Sequence, residues 1–96
     1  MIVRLVKLTI AIDRVEDFRA LFAAYHDDIA GFPGCRSVEL LQDLHEPNVF
    51  VTHSHWDSEE ELNAYRQSVI FGRIWPATKL LFAAPAEARS FEVKIK

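Results

Sequence analysis

Residues 2–12 read Ile-Val-Arg-Leu-Val-Lys-Leu-Thr-Ile-Ala-Ile, and this run limits the possible folds more than any other. Its density of β-branched residues marks a strand. Alternation puts Ile2, Arg4, Val6, Leu8, Ile10 and Ile12 on one face. Val3, Leu5, Lys7, Thr9 and Ala11 take the other. Both faces are mainly apolar, so neither can look wholly into water. A sheet built on this strand needs a cover on each side. Lys7 needs a partner on its apolar face, because an isolated buried charge is too costly. Glu39 is the expected one.

The rest of the chain supplies helices. Asp13 is expected to cap the first, with Glu16 as its capping-box partner. Val15, Phe18, Phe22, Tyr25 and Ile29 form its apolar stripe, joined by Leu21, while Arg19, His26 and Asp27 lie away from it. Gly31 ends this helix and Phe32-Pro33-Gly34 turns the chain. Cys35–Gln42 reads as a second strand, residues 43–48 as a loop with Pro47, and Val49–Trp56 as a third strand. At Asp57-Ser58 the pattern changes within two residues. Ser58 and Glu61 predict a capping box, Glu59 and Glu60 suit the helix dipole, and a helix follows over residues 59–67. Gly72 and Pro76 punctuate residues 69–82, which read as a loose turn and then a short helix with Pro76 in its first turn. Pro85 closes that element. Residues 88–95 form a last strand with Arg89, Phe91, Val93 and Ile95 on one side.

This order predicts one domain over residues 1–96, an α+β fold of ferredoxin-like βαββαβ topology with its helices on one face of an antiparallel sheet. The bare face calls for a second copy of the sheet. A homodimer through the sheet faces is expected, with Val3, Leu5, Val49 and Val51 among its buried residues.

Composition removes several classes. The charged fraction is 26%, half the residues are hydrophobic and the formal net charge is −3. Without clustered Lys and Arg, nucleic acid is not expected as a partner. Cys35 is the only cysteine, so neither an intrachain disulfide nor a cysteine metal site can form. No stretch approaches the roughly 20 apolar residues of a membrane span. Arg4 and Lys7 interrupt the first segment as a signal peptide, so a cytoplasmic location is expected. His53 and His55 share one strand face, opposite Trp56, and lack a matching carboxylate. They read as hydrogen-bonded interface residues, and no metal is expected.

At the corner, Trp56 ends a strand and Tyr65 follows on the second turn of the helix. Both are aromatics with a polar edge, placed where one small pocket can use them. Trp56-Asp57-Ser58-Glu59-Glu60, followed by Tyr65, Ser68, Phe71 and Leu81-Phe82, resembles the antibiotic biosynthesis monooxygenase (ABM) domain family. The turn Phe32-Pro33-Gly34-Cys35 and the pair Glu39-Leu40 fit the same pattern. The resemblance implies a dimeric α+β barrel of two ferredoxin-like units. It also implies one of two activities: cofactor-independent oxygenation of aromatic substrates, or haem degradation. The haem-degrading branch implies an Asn, a Trp and a His where this chain carries Arg4, Tyr65 and Trp75. None matches, and the axial iron ligand is lost with the His.

The cofactor-free reading asks for an apolar pocket, a base or anion-stabilising donor, and exclusion of water. Under the resemblance, Tyr65, Trp56 and Arg4 are the catalytic candidates: two hydrogen-bond donors and a cation for an anionic oxygen. Phe18, Phe22, Phe71 and Trp75 are the expected substrate-binding walls. Each has a second use. Trp56 and Tyr65 also read as core anchors, and Arg4 as the partner of a carboxylate or a residue at the dimer rim. Two functions stay open: an oxygenase of a phenolic or quinol-like molecule, and a dimeric ligand-binding or structural module. An open cavity beside Arg4, Trp56 and Tyr65 separates them, because the module fills it with its own side chains.

Overall fold

A computed structural model describes all 96 residues. Four strands, β1 (Ile2–Thr9), β2 (Cys35–Gln42), β3 (Val49–Trp56) and β4 (Glu87–Glu92), form one antiparallel sheet in the order β2-β3-β1-β4. Three helices, α1 (Val15–Ala30), α2 (Glu59–Arg66) and α3 (Val69–Lys79), complete the ferredoxin-like α+β fold. No helix is long and apolar enough to cross a membrane.

β1 occupies the centre of the sheet, as its two apolar faces require. In its register with β3, Arg4 lies opposite Ser54, Val6 opposite Thr52 and Leu8 opposite Phe50. On its other side Arg4 faces Ser90 and Val6 faces Ala88. These residues make up the sheet face under the helices. The strand ends at Thr9, three residues earlier than expected. Ile10 then makes a lone bridge to Phe82, and residues Ile12–Arg14 turn as a single 3₁₀ helix. Arg14, not Asp13, stands at the start of α1, and no side chain caps that end. The expected Asp13–Glu16 capping box is therefore absent. In its place, Arg14 Nε donates to Asp17 Oδ2 at 2.7 Å within the first turn.

α2 begins where expected, by a different contact. Ser58 is its N-cap but accepts no backbone bond; its hydroxyl donates to the Glu61 carboxylate. Gly34 explains how closely this corner packs. Its φ is +88°, and a Cβ there would collide with Glu61 Cγ, so both backbone and space demand glycine. Asp57 N donates to the Gly34 carbonyl at 2.9 Å, which fixes the strand–helix corner on the turn before β2.

The largest departure from expectation is α3. It forms one continuous helix from Val69, with Gly72 and Pro76 inside it, where a loose turn was expected. Ser68 caps it, accepting from Phe71 N at 3.1 Å and donating to the Tyr65 carbonyl at 2.6 Å. β4 is shorter than expected and ends at Glu92. The ion pairing also differs. Lys7 Nζ lies 3.7 Å from Glu87 on β4, while Glu39 accepts from His53 Nδ1 at 2.9 Å.

The core has two parts. Leu8, Ile10, Phe18, Phe50 and Leu81 form one cluster. Ile29, Trp56, Leu62 and Tyr65 form the other, beneath α2.

Candidate active site

Between the two clusters lies a cavity of about 230 Å³, enclosed by the sheet, α1, α2 and α3. The structure brings all seven predicted site residues to its wall. β1 contributes Arg4, α1 contributes Phe18 and Phe22, and the β3–α2 corner contributes Trp56 and Tyr65. Phe71 and Trp75 come from α3, stacked on each other with centroids 5.7 Å apart. Helical spacing explains this last pair: residues four apart share a face, and capping by Ser68 turns that face toward Tyr65. Phe71 meets the Tyr65 ring edge-on at 5.2 Å.

Trp56 and Tyr65 stack at 5.1 Å with an interplanar angle of 29°. Trp56 is 1% exposed, and its indole N–H donates to Ser54 Oγ at 3.0 Å. The N–H expected to reach a ligand is thus already paired. What Trp56 offers the cavity is its ring, and through Ser54 a hydroxyl whose own proton has no protein acceptor. The alternation of β3 puts Thr52, Ser54 and Trp56 on one face, so Ser54 and Thr52 line the cavity too.

Tyr65 is 9% exposed, and its hydroxyl makes no hydrogen bond with any protein group. No side-chain oxygen or nitrogen is both sealed off and unpaired, so this hydroxyl opens on accessible space. Burial, with a smaller contribution from the Cys35 thiol, pushes its pKa up to about 12. Tyr65 is therefore a proton-bearing donor across the neutral range, not a base. Burial also raises the Cys35 thiol above its ordinary value.

Arg4 is half-buried and donates to Ser90 Oγ at 3.0 Å. No carboxylate pairs with it, so of the two alternative uses the ion pair is not made. Burial first, and the like charge of Arg66 second, hold its pKa below the usual guanidinium value. Arg66, at the last turn of α2, also lines the cavity, and the sequence reading missed it. A basic residue ending a helix reads as a dipole partner; its position directly after Tyr65 was the available signal.

No Asp, Glu, His, Cys or Met lines the cavity. This donor set does not fit haem: no nitrogen or sulfur ligand faces the space, and a phenol held at so high a pKa is a poor substitute. His53 and His55 lie on the opposite sheet face, edge-on to each other at 4.8 Å, with His55 Nδ1 3.2 Å from Ser37 Oγ. No cluster of three or more metal-ligating side chains occurs in the chain.

A four-stranded antiparallel sheet with three helices over an aromatic cavity is a ferredoxin-like α+β architecture. Residues 1–75 match the family model described as antibiotic biosynthesis monooxygenase, and the chain belongs to that family. It is similar to a protein of Nitrosomonas europaea provisionally named for the same activity, with 20% identity and a TM-score of 0.88 over 97% of this chain and 98% of that one. A protein of Deinococcus radiodurans bearing the same provisional name aligns at 18% identity and a TM-score of 0.91, covering 100% of this chain and 95% of that one. A conserved protein of Methanosarcina mazei Go1 aligns at 21% identity and a TM-score of 0.91, over 98% and 94% of the two chains. At these identities the likeness is one of fold. No curated protein matches the sequence.

Proposed function

We propose that this protein is a cofactor-independent monooxygenase of a small phenolic or quinol-like molecule. The observation that carries the proposal is an open, mainly apolar cavity with an unpaired buried hydroxyl, Tyr65, and an uncompensated cation, Arg4, on its wall. An engineered apolar cavity of about 150 Å³ holds benzene, so the space here suits one or two rings and not a larger polycycle. The ring stacks among Phe71, Trp75 and Phe22, with Phe18 behind, and its oxygen lies toward Tyr65 and Arg4. Those two groups favour the ionised phenol electrostatically, and the proton leaves to solvent, since no side-chain base lines the cavity. The electron-rich anion then reduces dioxygen. One oxygen atom replaces the single hydrogen of a ring carbon and becomes a quinone oxygen. The other leaves as water with that hydrogen and a proton equivalent to the one the phenol shed, so the substrate supplies every electron.

The absence of a side-chain base favours a second reading, a module that binds an aromatic ligand without changing it. Oxygen uptake separates the two. A two-ring quinol should drive catalytic uptake in metal-chelated buffer, and Tyr65→Phe should lose about 10²-fold, the scale of one positioned donor or acid. Binding without uptake would leave the module reading. We further propose a homodimer through the outer sheet face, supported by the half-buried Val3, Leu5 and Val51 that no helix covers.

A further inference from the structure

Arg4 and Arg66 are the only charged residues on the cavity wall, and they carry the same sign. Neither takes part in an ion pair, whereas Arg14, Arg19 and Arg36 each sit on a carboxylate. A half-buried guanidinium beside a second one, with no counter-charge, is an unfavourable arrangement that an anion would relieve. The depressed pKa of Arg4 reports that same cost.

The geometry of the wall says where the anion would sit. Arg66 is exposed, one residue beyond the buried Tyr65, so it marks the mouth. Arg4 rises from the sheet floor between Ser54 and Ser90. The remaining donors, the hydroxyls of Tyr65, Ser54 and Thr52, are neutral and suit a ring oxygen. Two planar, permanently charged forks exceed what one such oxygen can use; they match the two oxygens of a carboxylate. At the rim a carboxylate also keeps part of its hydration, so its desolvation stays modest.

We propose that Arg4 and Arg66 form an anion clamp, and that the molecule this site takes is a one- or two-ring aromatic carboxylic acid. Its ring fills the apolar space and its carboxylate lies at the arginine-lined mouth. This rests on reading the cavity as a ring-binding site, and the experiment separates the two ideas.

Binding of 1-naphthoate and 1-naphthol, matched in ring size, would be measured by calorimetry at pH 7 and low salt. Naphthoate should bind at least about tenfold tighter, the scale of one charge-assisted hydrogen bond. Arg66→Gln, a surface change, should remove most of that preference. Arg4→Gln should remove it as well, and Arg4→Lys should retain part of it, with circular dichroism confirming the fold of each variant. Equal binding of the two compounds, or a preference that survives both glutamine variants, overturns the clamp and leaves the ring site standing. If neither compound binds the wild-type protein, the ring site falls and the clamp with it.

Discussion

His26 joins α1 to the sheet through Nε2, 3.1 Å from the Val38 carbonyl, while Nδ1 lies 3.0 Å from Oδ1 of Asp27, its neighbour on the same helix. Both can be donors only in the protonated ring. The Asp27 hydrogen bond first, and the Val38 carbonyl second, raise its pKa above 6.5. Because the folded value is the higher one, the stability this residue adds is fully present below about pH 6.5 and disappears as pH rises through the folded value. Urea midpoints of wild type and His26→Gln, measured across that window, should differ most in acid and converge in alkali; parallel curves would refute the linkage. Single residues also show where sequence reading stops. Arg4 and Tyr65 could be placed because alternation and helical period assign them a face. Ser54 was invisible beside Trp56 because nothing local announces that its hydroxyl receives the indole N–H. Arg66 was hidden by its resemblance to any helix-ending cation.

Among the elements, α3 depends most on one contact. Ser68 closes the last turn of α2 with its donated bond and opens α3 with its accepted one. Ser68→Ala should therefore cost about 0.5–2 kcal/mol in chemical denaturation, the range for a lost N-cap. A loss within error would mean that water replaces the hydroxyl on both sides. The strands around β1 were legible because β-branched and aromatic residues crowd β1 and β3, and α1 because its stripe keeps a strict helical period. α3 was not, for a physical reason. Gly72 and Pro76 are local breakers, and the sequence does not show the tertiary packing of Phe71, Ile74 and Trp75 that holds the helix through them. Asp13 failed in the opposite sense: good cap chemistry was present, but the chain first turns through a 3₁₀ step that places Arg14 at the helix start.

Seen whole, the molecule has one finished side and one unfinished one. The helices cover the face bearing Arg4, Val6 and Leu8. The other presents Val3 between His55 and Phe91, and Leu5 between His53 and Arg89. Phe91 is 45% exposed and Leu41 43% in the single chain. Light scattering over a dilution series should return twice the chain mass, and Val51→Arg, a charge on this face, should shift it toward one chain; a wild-type monomer at micromolar concentration would rule the assembly out. On the finished side, the cavity has a mechanical meaning as well as a chemical one. It divides the interior, so Phe18 and Leu8 on one bank and Trp56 and Tyr65 on the other have empty space where a continuous core would have atoms. A guest lodged there completes the interior, adding contacts between two clusters otherwise joined by the sheet, by α1 and by the Phe71–Trp75 stack, and the fold tightens around whatever it holds.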